Sequence, residues 1–409
     1  MHAWIVQTGE PLPCDGADER PMRATALARA LERDGHRVTV ISSDFWHQRK
    51  RHRTGVRSTI RTSRMTEVVL LPSPGYRRHV GIRRLLDHRQ LAREFRAVAP
   101  TLDRPDVMVV GFPPIEIAFE AVSLARRWSV PSVLDVKDQW PDIFWRRLPS
   151  GSRWAGRLML RGMERQAEQA FRLAGSITSM SEPFVAWAVG RAGRSLHGAD
   201  RAFPFGCEAP AEGIEGAPGG SRRIVFAGSI TRSFDFGTLL EGFRRSDFVR
   251  SGGRLVFCGA GDEERSVRAF AADDGRIEFR GWLAAPALAG ELSGAMAGAA
   301  PYVDRSDFAL SLPNKVVEYT SFGVPILAPS IGEIASFVRR VGVGFVYPPC
   351  SASGCAAAID AAAARGPDDA AAGRRILERH FLEHLESGAV YRDFARHLAA
   401  MASGAPARH

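Results

Sequence analysis

In SLPNKVVEYTSFGVPILAP (311–329), Pro313 and Asn314 suit a helix start, Lys315 falls in the first turn, and Glu318 lies one turn in. A helix N-terminus presents unpaired N–H groups and the positive end of a dipole, a place for a diphosphate. Lys315 adds a compact charge there, and Glu318 has oxygens to accept hydrogen bonds from two vicinal ribose hydroxyls. A capped surface helix with an i/i+3 Lys–Glu pair fits the same spacing equally well. VLDVKDQWPDIF (133–144) sets Lys137 and Asp138 after an apolar run. A carboxylate there can accept a hydrogen bond from a ligand; an Asp capping the turn before Trp140–Pro141 is the structural alternative. Gly228, in VFAGSITRSFDFGTLLEGF (225–243), permits close backbone approach to a ligand. The Gly259/Gly261 turn in LVFCGAGDEE (255–264) is a weak signal alone. Two loops of the first half complete the set. QTGEPLPCDGADERPMR (7–23) is longer than a structural turn needs. SSDFWHQRKRHR (42–53) carries His47, Lys50 and several arginines, and reads as a solvated charge run unless a ligand engages it. His36 reads as a turn histidine. Lysine is scarce, with 52 arginines against Lys50, Lys137 and Lys315, and all three fall in these stretches. A retained lysine hints at a need for a compact ammonium.

The elements that must position these residues are short apolar strands alternating with helical patterns. Strands are expected at Trp4–Val6, Val38–Ile41, Val68–Leu71, Val107–Val110, Ser132–Val136 and Ser176–Thr178. A second set is expected at Ile224–Ala227, Leu255–Cys258, Ile277–Phe279, Ala299–Tyr302, Pro325–Ala328 and Gly344–Tyr347. Near-continuous apolar runs at helix-length spacing mark parallel strands buried on both faces, so two doubly wound α/β domains follow. Pro21 opens one helix and Gly35 closes it. FPFGCEAPAEGIEGAPGG (203–220), rich in Gly and Pro, marks the boundary, and the tail from about Ala371 to Met401 reads as helix. In open parallel sheets, ligands bind beyond the C-terminal strand ends, where the candidate loops fall.

An apolar content of 45% with 24% charged residues describes a globular chain. Five scattered cysteines without a CxxC pair argue against a disulfide framework or a structural zinc site and for a reducing compartment. The first residues read as a strand rather than a signal peptide, and no apolar run is long enough to span a membrane. No GxSxG, HExxH, GxxxxGK[ST] or DxD metal motif is present. The net charge of +10 is one-sided: residues 1–200 hold 32 Lys+Arg against 21 Asp+Glu (+11), and 201–409 hold 23 against 24 (−1). GYRRHVGIRRLLDHRQLAREF (75–95) adds apolar residues among the arginines, a basic amphipathic pattern suited to an anionic membrane surface. Nucleic acid is the weakest candidate partner, since no recognition motif accompanies the charge.

Segment 311–329 resembles the nucleotide-sugar signature of the retaining family 4 glycosyltransferases, which have the GT-B fold. Glu318 and Gly323–Val324–Pro325 match its second half; Leu310 stands where the family has its first glutamate. Ser311, Pro313 and Lys315 resemble a branch with a Ser-x-Pro-x-Lys arrangement. Segment 225–243 resembles the family's first C-domain strand and phosphate loop. Ser229 and Phe234 occupy its usual arginine and lysine positions, and Arg232 is the substitute for the diphosphate contact. Lys137 and Asp138 stand where a His-Asp pair lies beside the reaction centre, and loop 7–23 resembles the acceptor-side glycine loop. The resemblance implies an α/β chain of two Rossmann-like domains facing a central cleft. Residues 1–202 bind the acceptor, 203–221 link, 222–385 bind the nucleotide sugar, and within 386–409 a helix returns towards the first domain. The implied donor residues are Gly228, Ser229, Arg232, Gly259, Gly261, Asn314, Lys315 and Glu318. Gly9, Glu10, Arg20, Arg23, His47 and Lys50 would face the acceptor, and Lys137 and Asp138 the chemistry. The implied reaction moves a hexosyl-type residue from a nucleotide-diphosphate sugar, with retention and without a metal or further cofactor. The expected setting is cell-surface polysaccharide or glycolipid assembly, cytoplasmic and peripheral on the inner membrane face, with a lipid-linked acceptor. A sugar-nucleotide 2-epimerase and a non-catalytic nucleotide-sugar-binding module are the alternatives.

Overall fold

The computed structural model describes residues 1–16, 21–77, 81–146, 148–210, 222–272 and 274–404. Arg20, Arg78, Val80 and residues 211–221 of the expected linker lie outside the described residues. The chain forms two compact units, residues 1–203 with 390–409, and residues 204–389.

Unit 1 is built on β1 (His2–Val6), β2 (Arg37–Ser43), β5 (Ser58–Arg61), β6 (Thr66–Leu71), β7 (Val107–Phe112), β8 (Ser132–Val136), β9 (Ser176–Ser179) and β10 (Arg201–Ala202). The short strands β3 (Phe45–Trp46) and β4 (Arg51–His52) pair apart from that sheet as an antiparallel hairpin. The sheet order is β10-β9-β8-β7-β1-β2-β6-β5, parallel except for the edge pair β5–β6. Ile5 of β1 lies between Val40 of β2 and Val109 of β7, all three buried. Their unbroken apolar runs arise because the sheet is covered on both faces. The order reverses at β1, flanked by β2 and β7, so the crevice for a ligand is expected beyond the C-terminal ends there. Three helices matter for the site: α1 (Arg23–Arg33), α2 (Ile82–Val98) and α3 (Ile115–Trp128). α1 begins two residues beyond Pro21, with Met22 as its N-cap, and Gly35 follows it at φ 77°, a conformation glycine adopts without strain.

Unit 2 holds β11 (Arg223–Ala227), β12 (Arg254–Cys258), β13 (Ile277–Gly281), β14 (Ala297–Ala299), β15 (Ile326–Pro329) and β16 (Phe345–Tyr347), all parallel in the order β13-β12-β11-β14-β15-β16. Its switch point lies between β11 and β14. The strand expected at Ala299–Tyr302 ends at Ala299. Beyond it the backbone turns to neighbours in the β11 loop: the Asp235 amide donates to the Pro301 carbonyl and Phe234 bridges Tyr302.

The tail is two helices, Pro367–His384 and Ser387–Ala402, not one. They break at Leu385 and Glu386, where Cys207 accepts from the Ser387 amide at 2.8 Å and donates to Leu385 at 3.1 Å. Those bonds satisfy groups that a continuous helix would have paired internally. The second helix returns to unit 1. Val390, Phe394 and Leu398 join Leu27 and Leu31 of α1 in one core, and the Phe394 ring stacks on Phe203 with centroids 4.2 Å apart.

Candidate functional sites at the strand ends

In unit 2 the strand-end loops are laced together by backbone. Gly228 donates to Cys258 at 2.8 Å and Ile230 to Ala260 at 3.0 Å. A Cβ on Gly259 would lie 1.9 Å from the Gly228 carbonyl, and one on Gly261 would lie 2.2 Å from that of Ile230. These two glycines therefore make room for the neighbouring loop. Gly228, at φ 114°, has a further demand on it, because a Cβ there would meet the Lys315 ammonium at 2.8 Å.

Lys315 is the second residue of the helix Asn314–Ser321, whose N-cap is Pro313. Its side chain turns inward, 8% exposed, onto the Ala227 carbonyl, with the Phe226 ring centroid 4.0 Å away and that of Phe234 4.9 Å away. Burial pushes its pKa down to about 7, against the charge of Glu318, which raises it. Tyr319, four residues on, fixes the helix to the switch point. Its hydroxyl accepts from the Ala227 amide at 2.9 Å and donates to the Ala299 carbonyl at 3.0 Å. Asn314 and Ser229 are exposed and Glu318 is half-buried. Arg232 stands apart from Lys315, its side chain 87% exposed and bonded to Glu263 at 2.6 Å. It borders an open concavity of about 500 Å³ that Phe234, Asp235, Glu263 and Phe270 also line.

In unit 1 the structure joins Glu10, Arg23 and Lys137. Arg23 grips Asp135 with two bonds of 2.7 and 2.8 Å and donates to the Phe203 carbonyl at 2.7 Å. Only 3% exposed, it braces the strand ends from within. Burial alone would raise the Asp135 carboxyl; the Arg23 and Lys137 charges, with bonds from Arg23 and Thr178, hold it below its ordinary value. Lys137 reaches Glu10, Gln7 at 2.9 Å and Asp135 at 3.8 Å. Glu10 also accepts from the Ala24 amide in the first turn of α1, at 2.9 Å. Asp138 follows, half-buried. Gly9 adopts φ 79°, and its carbonyl accepts from the Gln48 side chain at 2.7 Å. His47 and Lys50 form a separate group around Tyr76 in the same unit.

The sequence reading missed Asp135, Gln7, Tyr319 and the Phe226–Phe234 shelf. Asp135 and Gln7 had a signal in their polar character at strand ends. Tyr319 had one in its helical spacing from Lys315.

A model described as glycosyl transferase 4-like domain matches residues 22–196, and one described as glycosyl transferases group 1 matches residues 221–365. No curated protein matches the chain significantly in sequence. Among solved structures, sucrose-phosphate synthase of Thermosynechococcus elongatus is similar with a TM-score of 0.71 at 15% identity, over 99% of this chain and 100% of that one. The catalytic domain of starch synthase IV from Arabidopsis thaliana has a TM-score of 0.65 at 11% identity, over 98% and 99%. HepE of Anabaena has 0.63 at 12% identity, over 98% and 100%. At those identities the likeness speaks for the fold, which is GT-B. The two domain models together cover most of the chain, one in each unit, and with them the chain belongs to the group 1, family 4-like glycosyltransferases.

Proposed function

We propose that the chain moves a hexosyl-type residue from a nucleotide-diphosphate sugar to an acceptor, with retention and without a metal. The carrying observation is Lys315, held in the first turn of a helix at the unit 2 switch point, over a glycine that leaves space for its ammonium. Charge and helix end together suit a departing diphosphate, and a preorganised, largely dry site makes such stabilisation strong. Arg232 adds a solvent-side cation, Glu318 takes the ribose, and Ser229 and Asn314 offer exposed hydrogen-bonding groups. Gly259 and Gly261 shape the loops that carry them. In unit 1, Lys137 and Asp138 face the chemistry, and Gly9, Glu10 and the loop that Arg23 braces receive the acceptor. Two similar structures support the donor class: HepE is seen with UDP-glucose, and starch synthase IV with ADP and acarbose.

The acceptor side points to a membrane. No helix among the described residues is long and apolar enough to cross one. Ile82 and Leu86 nevertheless lie exposed on α2 beside arginines, and the helix Arg153–Met159 exposes Trp154, Leu158 and Met159 next to Arg153 and Arg157. Basic and apolar residues mixed in this way suit reversible binding to anionic lipid, at about 1 kcal/mol per engaged cation. We place the enzyme on the cytoplasmic membrane face, in polysaccharide or glycolipid assembly.

A thermal-shift screen of nucleotide-diphosphate sugars tests the donor reading. A donor at 100 times its Kd stabilises by about 2.7 kcal/mol. No shift with any of them overturns it, and a new sugar nucleotide formed from labelled donor without acceptor makes the enzyme an epimerase.

A further inference from the structure

Tyr76, on the segment after β6, gathers cationic groups from two other segments of unit 1. Lys50, in the β3–β4 hairpin, places Nζ 4.8 Å from the ring centroid, and Arg84, in the first turn of α2, places Cζ at 5.5 Å. His47 Nδ1 lies 2.6 Å from the Tyr76 hydroxyl and 3.4 Å from Lys50 Nζ. Arg84 also stacks on Trp140, 4.8 Å from its centroid, and its Nε meets His88 Nε2 at 3.4 Å. Burial, then the Arg84 and His47 charges, push His88 down to about 3, so near neutral pH it is an uncharged prop for Arg84.

The charge of Arg84 also acts on Asp87. Asp87 is buried and engaged with the Gly75 amide at 2.7 Å. Burial and then the charge of Arg84 lower the Lys50 pKa, the signature of two cations held close. Lys50 also adopts φ 51°, a left-handed conformation costly for a lysine and found preferentially at functional sites. His47, Lys50 and Arg84 are all partly exposed.

We propose that Lys50, Arg84 and His47 form a subsite for a phosphoryl group carried by the acceptor. The inference rests on the glycosyl-transfer reading, which it extends from acceptor in general to a phosphorylated one. Arginine's fork and lysine's point charge are complementary ways to hold phosphate oxygens, and the histidine ring adds a polar neighbour beside them. A lipid pyrophosphate and a soluble sugar phosphate share this chemistry.

The test is calorimetry on the full chain saturated with UDP, titrated with inorganic pyrophosphate and then with geranyl pyrophosphate. The wild type binds pyrophosphate with UDP in place. Arg84→Gln and Lys50→Asn, the second keeping a residue that tolerates the left-handed conformation, each weaken it at least tenfold and leave UDP affinity unchanged. Tighter binding of geranyl pyrophosphate than of pyrophosphate assigns the lipid source; equal binding assigns the soluble one. Unchanged pyrophosphate affinity in both folded variants, or no binding to the UDP-saturated wild type, overturns the subsite. If UDP itself does not bind, the donor reading fails. Pyrophosphate binding lost in the variants then still supports the subsite.

Discussion

At the ends of β1 and β8, unit 1 gives buried charges partners of opposite sign: Asp135 lies between Arg23 and Lys137, and Lys137 between Asp135 and Glu10. At the end of β11, unit 2 buries the ammonium of Lys315 against a carbonyl and two aromatic rings. The first arrangement satisfies itself and fixes a loop. The second leaves a cation whose charged form is disfavoured until an anion arrives, which is the state suited to binding one.

Breaking the paired side should have the largest effect. Arg23→Met leaves Asp135 buried without its main partner and should cost about 3–5 kcal/mol in urea unfolding. Arg23→Met with Asp135→Leu should recover much of it. A single-variant loss near zero would show the pair is solvated and dissolve the contrast. The Asp135 carboxyl is held below its ordinary value, so its contribution is present above that value and fades as pH falls through the lowered one.

Lys315→Met should lose about 1.5–3 kcal/mol of donor binding, the range for hydrogen bonds to charged groups. It should not lower stability at pH 6. A lysine depressed to about 7 is charged at a cost below that pH. Above it, the folded protein binds fewer protons than the unfolded chain, so stability rises with pH up to the ordinary lysine value of roughly 10. The methionine variant should lack that rise; a lower melting temperature at pH 6 would mean the ammonium is structural.

Donor affinity of the wild type should weaken above about pH 7, by roughly tenfold per unit at the steepest, as the unliganded lysine loses its proton. Calorimetry in buffers of different ionisation enthalpy should show proton uptake on binding near pH 8. A flat profile from pH 6 to 9 would count against the buried-cation picture. The smallest change is expected for Arg232→Ala. Its pair with Glu263 is solvent-exposed, so the melting temperature should hold while the donor KM rises.

Much of this was legible before any coordinates. Parallel strands buried on both faces leave unbroken apolar runs, so the strands were placed to within one or two residues in most cases. The break at Leu385 was hidden because it depends on Cys207, far away in sequence. The site was legible as residue types and opaque as orientations. Lys315 and Lys137 stood out by rarity, but nothing local tells that Lys315 points inward or that Arg23 meets Asp135 across 112 positions. A glycine admits any close neighbour, and on the Cβ side of Gly259 and Gly261 that neighbour is protein backbone.

The helix Ser387–Ala402 sets an order of events during synthesis. Phe394 and Leu398 belong to the core that β1 and α1 begin, so that core cannot close until this helix has been made. Unit 2, continuous from Pro204 to Ala389, meets no such delay. On the ribosome unit 2 can therefore finish before unit 1, whose apolar strands need protection until this helix emerges.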